Sequence, residues 1–179
     1  MSTVNMLIAG FGGQGVLFAG KFIAYKGLLE GKQLSWLPSY GPEMRGGTAN
    51  CSVIISDTPV GSPIVSSPDV LMVMNLPSLD KYEDSATKNA KIFVDSSLID
   101  RKVKRDDVTA YYIPATVMAK EAGFPTLANM IMVGKMIKEA GIVSYDNIVD
   151  ALKKVVSAKH ADLLDVNLKA IEMGYNYEG

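Results

Sequence analysis

Six residues, Gly10-Phe11-Gly12-Gly13-Gln14-Gly15, follow the largely apolar run Val4-Asn5-Met6-Leu7-Ile8-Ala9. The spacing is G-x-G-x-x-G, placed where a strand would pass into a helix. Glycines there let peptide N–H groups approach a phosphate at the positive end of a helix dipole. The chemistry indicated is capture of a diphosphate. The same spacing also fits a tight strand–helix turn that binds nothing, and the motif by itself leaves both readings open.

The residues after the glycines narrow the choice of diphosphate. A dinucleotide site needs a carboxylate at the end of the second strand to hold the ribose hydroxyls. Glu30 stands at a suitable count after Gly10, but it precedes Gly31-Lys32 and so belongs to a helix end. The second strand closes on Leu37-Pro38-Ser39, with no carboxylate. A P-loop is excluded, because no Gly-Lys-Ser/Thr follows the glycines. Lys21 falls inside the expected helix, where it is either a solvated lysine or a phosphate contact. A second dense segment is Ser39-Tyr40-Gly41-Pro42-Glu43-Met44-Arg45-Gly46-Gly47-Thr48. Glu43 and Arg45 can pair within this loop. Alternatively, the forked Arg45 donor and the open amides of Gly46 and Gly47 can receive an anion.

These residues need a frame, and the hydrophobic pattern supplies one. Strands are expected at Val4–Ala9, Gln33–Leu37, Ala49–Ser56, Val70–Met74, Lys91–Asp95 and Ala110–Ile113. Ser62–Val65 is read as a short antiparallel return strand. Helices are expected at Val16–Glu30 and from about Pro77 through Ala86. The last third is helical: one helix carries Leu127, Met130, Ile131, Gly134 and Ile137 and stops at Gly141. A next helix, capped by Ser144, carries Ile148, Leu152, Val155 and Val156, and a final one carries Leu164, Leu168 and Ile171. The fold class is therefore α/β, a mainly parallel sheet with helices on both faces, a Rossmann-like first βα unit and a helical C-terminal third. Residues 1–179 read as a single domain.

Composition limits the function classes. A net charge of −1 offers no broad attraction to nucleic acid or an anionic membrane. The basic run Arg101-Lys102-Val103-Lys104-Arg105 reads as a solvated surface loop. No leader and no bilayer-spanning stretch are expected, which points to the cytoplasm. One cysteine, Cys51, and one histidine, His160, cannot by themselves hold an iron–sulfur cluster or a structural zinc. Cys51 reads as a small core residue and His160 as a surface residue at a helix start. Met130, Met132 and Met136 cluster with Asn129 on one helix; core packing is one reading, and a face turned to a partner is the other. Tyr175 and Tyr177 fit either an interface or a frayed terminus.

Two motifs together, Gly10–Val16 and Tyr40-Gly41-Pro42-Glu43-Met44-Arg45-Gly46-Gly47, resemble the gamma subunit of the 2-oxoacid:ferredoxin oxidoreductases. The resemblance extends to Asn129-Met130-Ile131-Met132-Val133-Gly134 and covers nearly the whole chain. It implies oxidative decarboxylation of a 2-oxoacid, with coenzyme A as acyl acceptor and ferredoxin as electron acceptor, in anaerobic metabolism. It further implies alpha, beta and ferredoxin-like delta partner subunits. Thiamine diphosphate and iron–sulfur clusters sit on those partners, in keeping with the missing Gly-Asp-Gly signature and cluster cysteines. Carried onto this sequence, Gly10, Gly12, Gly13, Gln14, Gly15, Lys21, Arg45, Gly46 and Gly47 hold the phosphates of coenzyme A, and no residue of this chain is catalytic or metal-binding. The loop at Tyr40–Gly47 looks more like the 2-oxoglutarate or branched-chain 2-oxoacid types than the pyruvate type. A free-standing NAD or FAD oxidoreductase and a ligand-free assembly module are the competing readings.

Overall fold

A computed structural model describes residues 2–39 and 48–179. The apolar run near the N-terminus forms the central strand β1 (Thr3–Phe11). Helix α1 (Val16–Leu29) comes next, then β2 (Gln33–Ser39), β3 (Thr48–Ser56), β4 (Val70–Val73) and α2 (Leu76–Tyr82). Strands β5 (Lys91–Asp95) and β6 (Thr109–Ile113) precede α3 (Ala115–Glu121), α4 (Ala128–Ala140), α5 (Ile148–Val155) and α6 (Asp162–Asn176). The six strands lie in the order β2-β3-β1-β4-β5-β6. Strand β3 is antiparallel to both β1 and β2, while β1, β4, β5 and β6 pair in parallel, so only β3 runs against the rest.

Strand alternation divides the core in two. Met6 and Ile8 of β1 face the larger core with α1 and α3–α6, whereas Leu7 faces a smaller core with Leu79 of α2. The carboxyl ends of β1 and β4 therefore send their chains to opposite faces of the sheet. That junction is a switch point, where an open α/β sheet leaves a crevice.

Helix α4 is buried on almost every side, which decides the reading of its methionines. Met130, Met132 and Met136 are all fully buried within this chain, so none of them turns to a partner. Against α4 runs α6, at a distance only glycine permits. A Cβ on Gly134 would collide with Ile171 O and lie 2.8 Å from Tyr175 N, and one on Gly174 would collide with Ile131 O. The C-terminal tyrosines are not frayed. Tyr175 packs on Tyr145 with ring centroids 4.2 Å apart, and Tyr177 O accepts a hydrogen bond from Lys135 Nζ at 2.8 Å.

Several expectations are corrected. Ser62–Val65 forms no strand; it is held to the sheet by Val65 N donating to Ser52 Oγ at 3.3 Å. β2 continues through Pro38, which an edge strand tolerates because no donor is needed on its open side. Ser144 does not cap α5, whose N-cap is Asn147 in the left-handed region at φ 60°. Instead Ser144 N donates to Glu30 Oε1 at 2.6 Å, and its hydroxyl accepts from Lys26 Nζ at 3.1 Å. Lys26, buried on α1, also donates to Glu30 at 2.6 Å. Nor is the basic run a free loop. Arg101 reaches Asp80 and the buried Glu83 at 2.6 and 3.0 Å, Lys104 N donates to Glu83, and Arg105 Nη1 donates to Glu83 O at 3.1 Å. The run straps the end of α2 to the sheet.

The helix contact and the Glu30 junction can both be tested. Gly134→Ala must push α6 off α4, since backbone cannot retreat as a side-chain tip can; the expected loss is about 3 kcal/mol or more in chemical denaturation. Burial opposes ionisation of Glu30, but hydrogen bonds from Lys26 and Ser144 outweigh it and hold the carboxyl below its ordinary 4.5. Its stabilisation is then complete above about pH 4.5 and fades as pH falls through the lowered folded value. Glu30→Gln is expected to lower stability at pH 7 by about 1–2 kcal/mol and to flatten the acid limb of a melting-temperature profile.

Candidate functional site

The glycine loop occupies the switch point. Gly13 and Gly15 hold φ of 92° and 74°, a region costly for side-chain-bearing residues, and Gly15 is the N-cap of α1. No side chain caps α1 and no acidic residue lies in its first turn. Gly15 O accepts from Ala19 N at 3.0 Å, starting the helix ladder. Among the described residues, the amides of Gly12, Gly13, Gly15, Val16, Leu17 and Phe18 find no acceptor within the protein. The loop thus offers a row of open N–H groups at the positive end of a 14-residue helix. Above Gly13 a Cβ would meet no atom of the described residues within 4 Å.

Gln14 keeps the loop in this shape. Its Oε1 accepts from Phe11 N at 2.6 Å and its Nε2 donates to Met74 O at 3.0 Å. The side chain thus joins the carboxyl ends of β1 and β4 across the crevice. A Cβ on Gly10 would stand 2.5 Å from Gln14 Oε1, so glycine at that position makes room for the bridge. The family resemblance groups Gln14 with the phosphate-holding residues; its side chain is instead bonded to backbone on both sides.

A second clamp comes from the far end of the chain. Asn129, buried near the start of α4, donates from Nδ2 to Gly15 O at 2.9 Å, while its Oδ1 has no partner among the described residues. In the sequence Asn129 stands out only as a neighbour of the methionines and a member of a family hexamer. A contact spanning 114 residues leaves no local signal.

Lys21 is not brought to the loop. It lies six residues beyond Gly15, about 9 Å along the helix, with Nζ 6.0 Å from the Trp36 ring centroid. Arg45, Gly46 and Gly47 lie outside the described residues, but the flanks of their segment are placed. Ser39 pairs with Asn50 and Thr48 with Phe11, so both flanks stand on the same sheet edge as the glycine loop. Glu30 stands at the other end of α1, joined to Lys26 and Ser144. Cys51 is wholly buried beneath α1, and burial pushes its thiol up to about 12. His160 is exposed. Asp95, buried at the end of β5, accepts from Thr116 Oγ1 and from Ser97 N at 3.1 Å, so it serves the entry to α3.

The strand order also bears on the ligand. In a dinucleotide fold, the second parallel strand lies beside the first and brings its carboxylate to the ribose. Here the antiparallel β3 separates β2 from β1. The residues beside the end of β1 are Thr48, Ala49 and Asn50. An anion can be received on peptide amides, but no carboxylate among the described residues stands where a ribose would be gripped.

An open α/β sheet with a glycine loop at its switch point defines the structural class of this domain. Residues 5–177 match the pyruvate ferredoxin/flavodoxin oxidoreductase family, and the chain belongs to it. It is 41% identical, over 97% of its own length, to ketoisovalerate oxidoreductase subunit VorA of Methanothermobacter marburgensis, and spans 36% of that relative. It is 35% identical to 2-oxoglutarate synthase subunit KorC of Methanocaldococcus jannaschii, covering 94% of this chain and 90% of that one. The gamma subunit of keto/oxoacid ferredoxin oxidoreductase from Geobacter sulfurreducens superposes with a TM-score of 0.82 at 29% identity, over 96% of both chains. 2-Oxoglutarate:ferredoxin oxidoreductase from Magnetococcus marinus shares the fold, at TM-score 0.84 and 22% identity over 98% of this chain and 31% of that one. Among the described residues, no helix is long and apolar enough to cross a membrane.

Gln14→Ala removes both bonds of the bridge. It is expected to cost about 1–2 kcal/mol and, in amide hydrogen exchange monitored by NMR, to abolish the protection of Phe11 N–H.

Proposed function

We propose that this chain works as the gamma subunit of a 2-oxoacid:ferredoxin oxidoreductase and receives the diphosphate of coenzyme A on its glycine loop. The carrying observation is the set of amides at Gly12, Gly13, Gly15, Val16, Leu17 and Phe18, unpartnered among the described residues, in a loop tied by Gln14 and Asn129. Coenzyme A has a diphosphate to place there and does not require the ribose-gripping carboxylate. The Magnetococcus marinus structure contains coenzyme A and succinyl-CoA, and its fold is shared with this chain. The likenesses to VorA and KorC favour a branched-chain 2-oxoacid or 2-oxoglutarate as substrate.

In the overall reaction the 2-oxoacid loses carbon dioxide, its acyl carbon passes to the thiol of coenzyme A, and two electrons leave to ferredoxin. This chain contributes positioning. The amides of Gly12, Gly13 and Gly15 and the first turn of α1 neutralise the diphosphate without bringing a cation. Arg45, Gly46 and Gly47, whose segment leaves the same sheet edge, add charge and further amides in this proposal. Lys21 has no such role unless the ligand extends along α1 toward Trp36. Thiamine diphosphate and the iron–sulfur clusters belong to alpha, beta and delta partners. The single thiol of this chain, buried and held protonated, does not fit a cluster ligand.

Gly13→Val tests the loop. Valine at φ 92° adds strain of about 1–2 kcal/mol, places a Cβ that meets no atom of the described residues within 4 Å, and sets bulk beside the amides. Calorimetry on the native complex is expected to show coenzyme A affinity falling at least tenfold, with the subunit still assembled. Unchanged affinity would remove the glycine loop from the binding role. Pull-down of the tagged chain from native extract should bring a thiamine-diphosphate subunit and a ferredoxin-like polypeptide.

A further inference from the structure

Beyond the glycine loop, on the face of the sheet opposite α1, lies a groove of about 390 Å³. Leu37 and Ser39 of β2, Asn50 of β3, Ile64 and Val65 of the segment after it, and Tyr82 of α2 line it. No helix among the described residues covers this part of the sheet. Ile64 is 67% exposed and Leu37 39%, an apolar wall open to solvent. The groove adjoins the loop: Asn50 pairs with Ala9, and Phe11, at the end of β1, shares its face by strand alternation. From Asn50 to Gly12 is about 10 Å along the strand and about 5 Å across. Phe11, 40% exposed, lies two residues beyond Ala9 on β1.

Two polar groups give the groove a chemical preference. Asn50 Nδ2 donates to Tyr82 Oη at 3.2 Å. The tyrosine oxygen thereby accepts, and among the described residues its own proton has no acceptor. Asn50 Oδ1 accepts nothing among the described residues. The pair presents one donor and one acceptor side by side, above apolar walls. A secondary amide in an extended, otherwise apolar chain is the complement: its carbonyl takes the Tyr82 proton and its N–H meets Asn50 Oδ1.

We infer that this groove receives the amide-bearing pantetheine arm of the ligand whose diphosphate sits on the glycine loop, with Asn50 and Tyr82 reading one of its amides. The inference rests on the coenzyme A reading of that loop. It places the arm across the end of β1, over Phe11, and leaves the nucleotide on the other side of the loop. Asn50 and Tyr82 then act as specificity residues: they distinguish a pantetheine thiol ester carrier from a bare nucleotide of equal charge.

Binding of three probes to the native complex, carrying wild-type chain, Tyr82→Phe or Asn50→Ala, decides the matter. The probes are coenzyme A, 4′-phosphopantetheine, and 3′-phosphoadenosine 5′-diphosphate. Both variants are expected to bind coenzyme A and 4′-phosphopantetheine about five- to tenfold less tightly, and the nucleotide fragment within twofold of wild type. Thermal melting of each variant is expected to stay within a few degrees of wild type, Tyr82→Phe removing one oxygen only. Equal weakening of the nucleotide fragment would put the nucleoside in the groove and overturn the inference. Unchanged affinity for all three would also overturn it, while leaving the loop reading intact. Failure of the wild-type complex to bind coenzyme A at all would sink the diphosphate reading itself.

Discussion

The Gln14 side chain is the joint on which the candidate site depends. It accepts from Phe11 N and donates to Met74 O, joining the ends of β1 and β4 where their chains part to opposite faces. In the tied loop Gln14 N donates back to Phe11 O at 3.2 Å, while the N–H groups of Gly12, Gly13, Gly15, Val16, Leu17 and Phe18 have no acceptor among the described residues. Asn129 completes the arrangement by fixing Gly15 O from α4. The close contact of α4 with α6 through Gly134 and Gly174 in turn anchors the helix that carries Asn129. Packing at the back of the molecule therefore sets the geometry of an edge far from it.

Strand order decides what that edge can recognise. A glycine loop of this spacing, placed beside a parallel second strand, would favour a dinucleotide. The antiparallel β3, inserted between β1 and β2, displaces the second strand by one position and sets Asn50 beside the end of β1. The neighbour is neutral and paired with Tyr82. The strand next to these six residues thus leaves them without the carboxylate neighbour that a dinucleotide requires, among the described residues.

Charge is largely used internally. Lys26, Glu30 and Ser144 tie the end of α1 to the chain before α5, and Arg101 and Arg105 hold the end of α2 through Glu83. A run that composition alone would assign to solvent is an internal strap, because Glu83 is buried and requires compensation. The site end, by contrast, is built from neutral amides, so an incoming anion meets no competing carboxylate in the first turn of α1.

Residue order alone determined the six strands, the first βα unit and the glycine loop, because hydrophobic period and glycine spacing are local properties read within one element. Paired motifs at Gly10–Val16 and Tyr40–Gly47 also carried the family, which the match over residues 5–177 established. Tertiary structure alone decided the hydrogen bonds of Gln14, Asn129, Asn50 and Tyr82, the burial of all three α4 methionines, and the fate of Ser144 and the basic run. Each of these depends on which distant segment lies within hydrogen-bond reach: Asn129 meets Gly15 across 114 residues and Gln14 meets Met74 across 60. Pairwise contacts at such separations leave no periodic trace in a sequence. They exist only once the sheet has set β3 against β1, and α4 across α1.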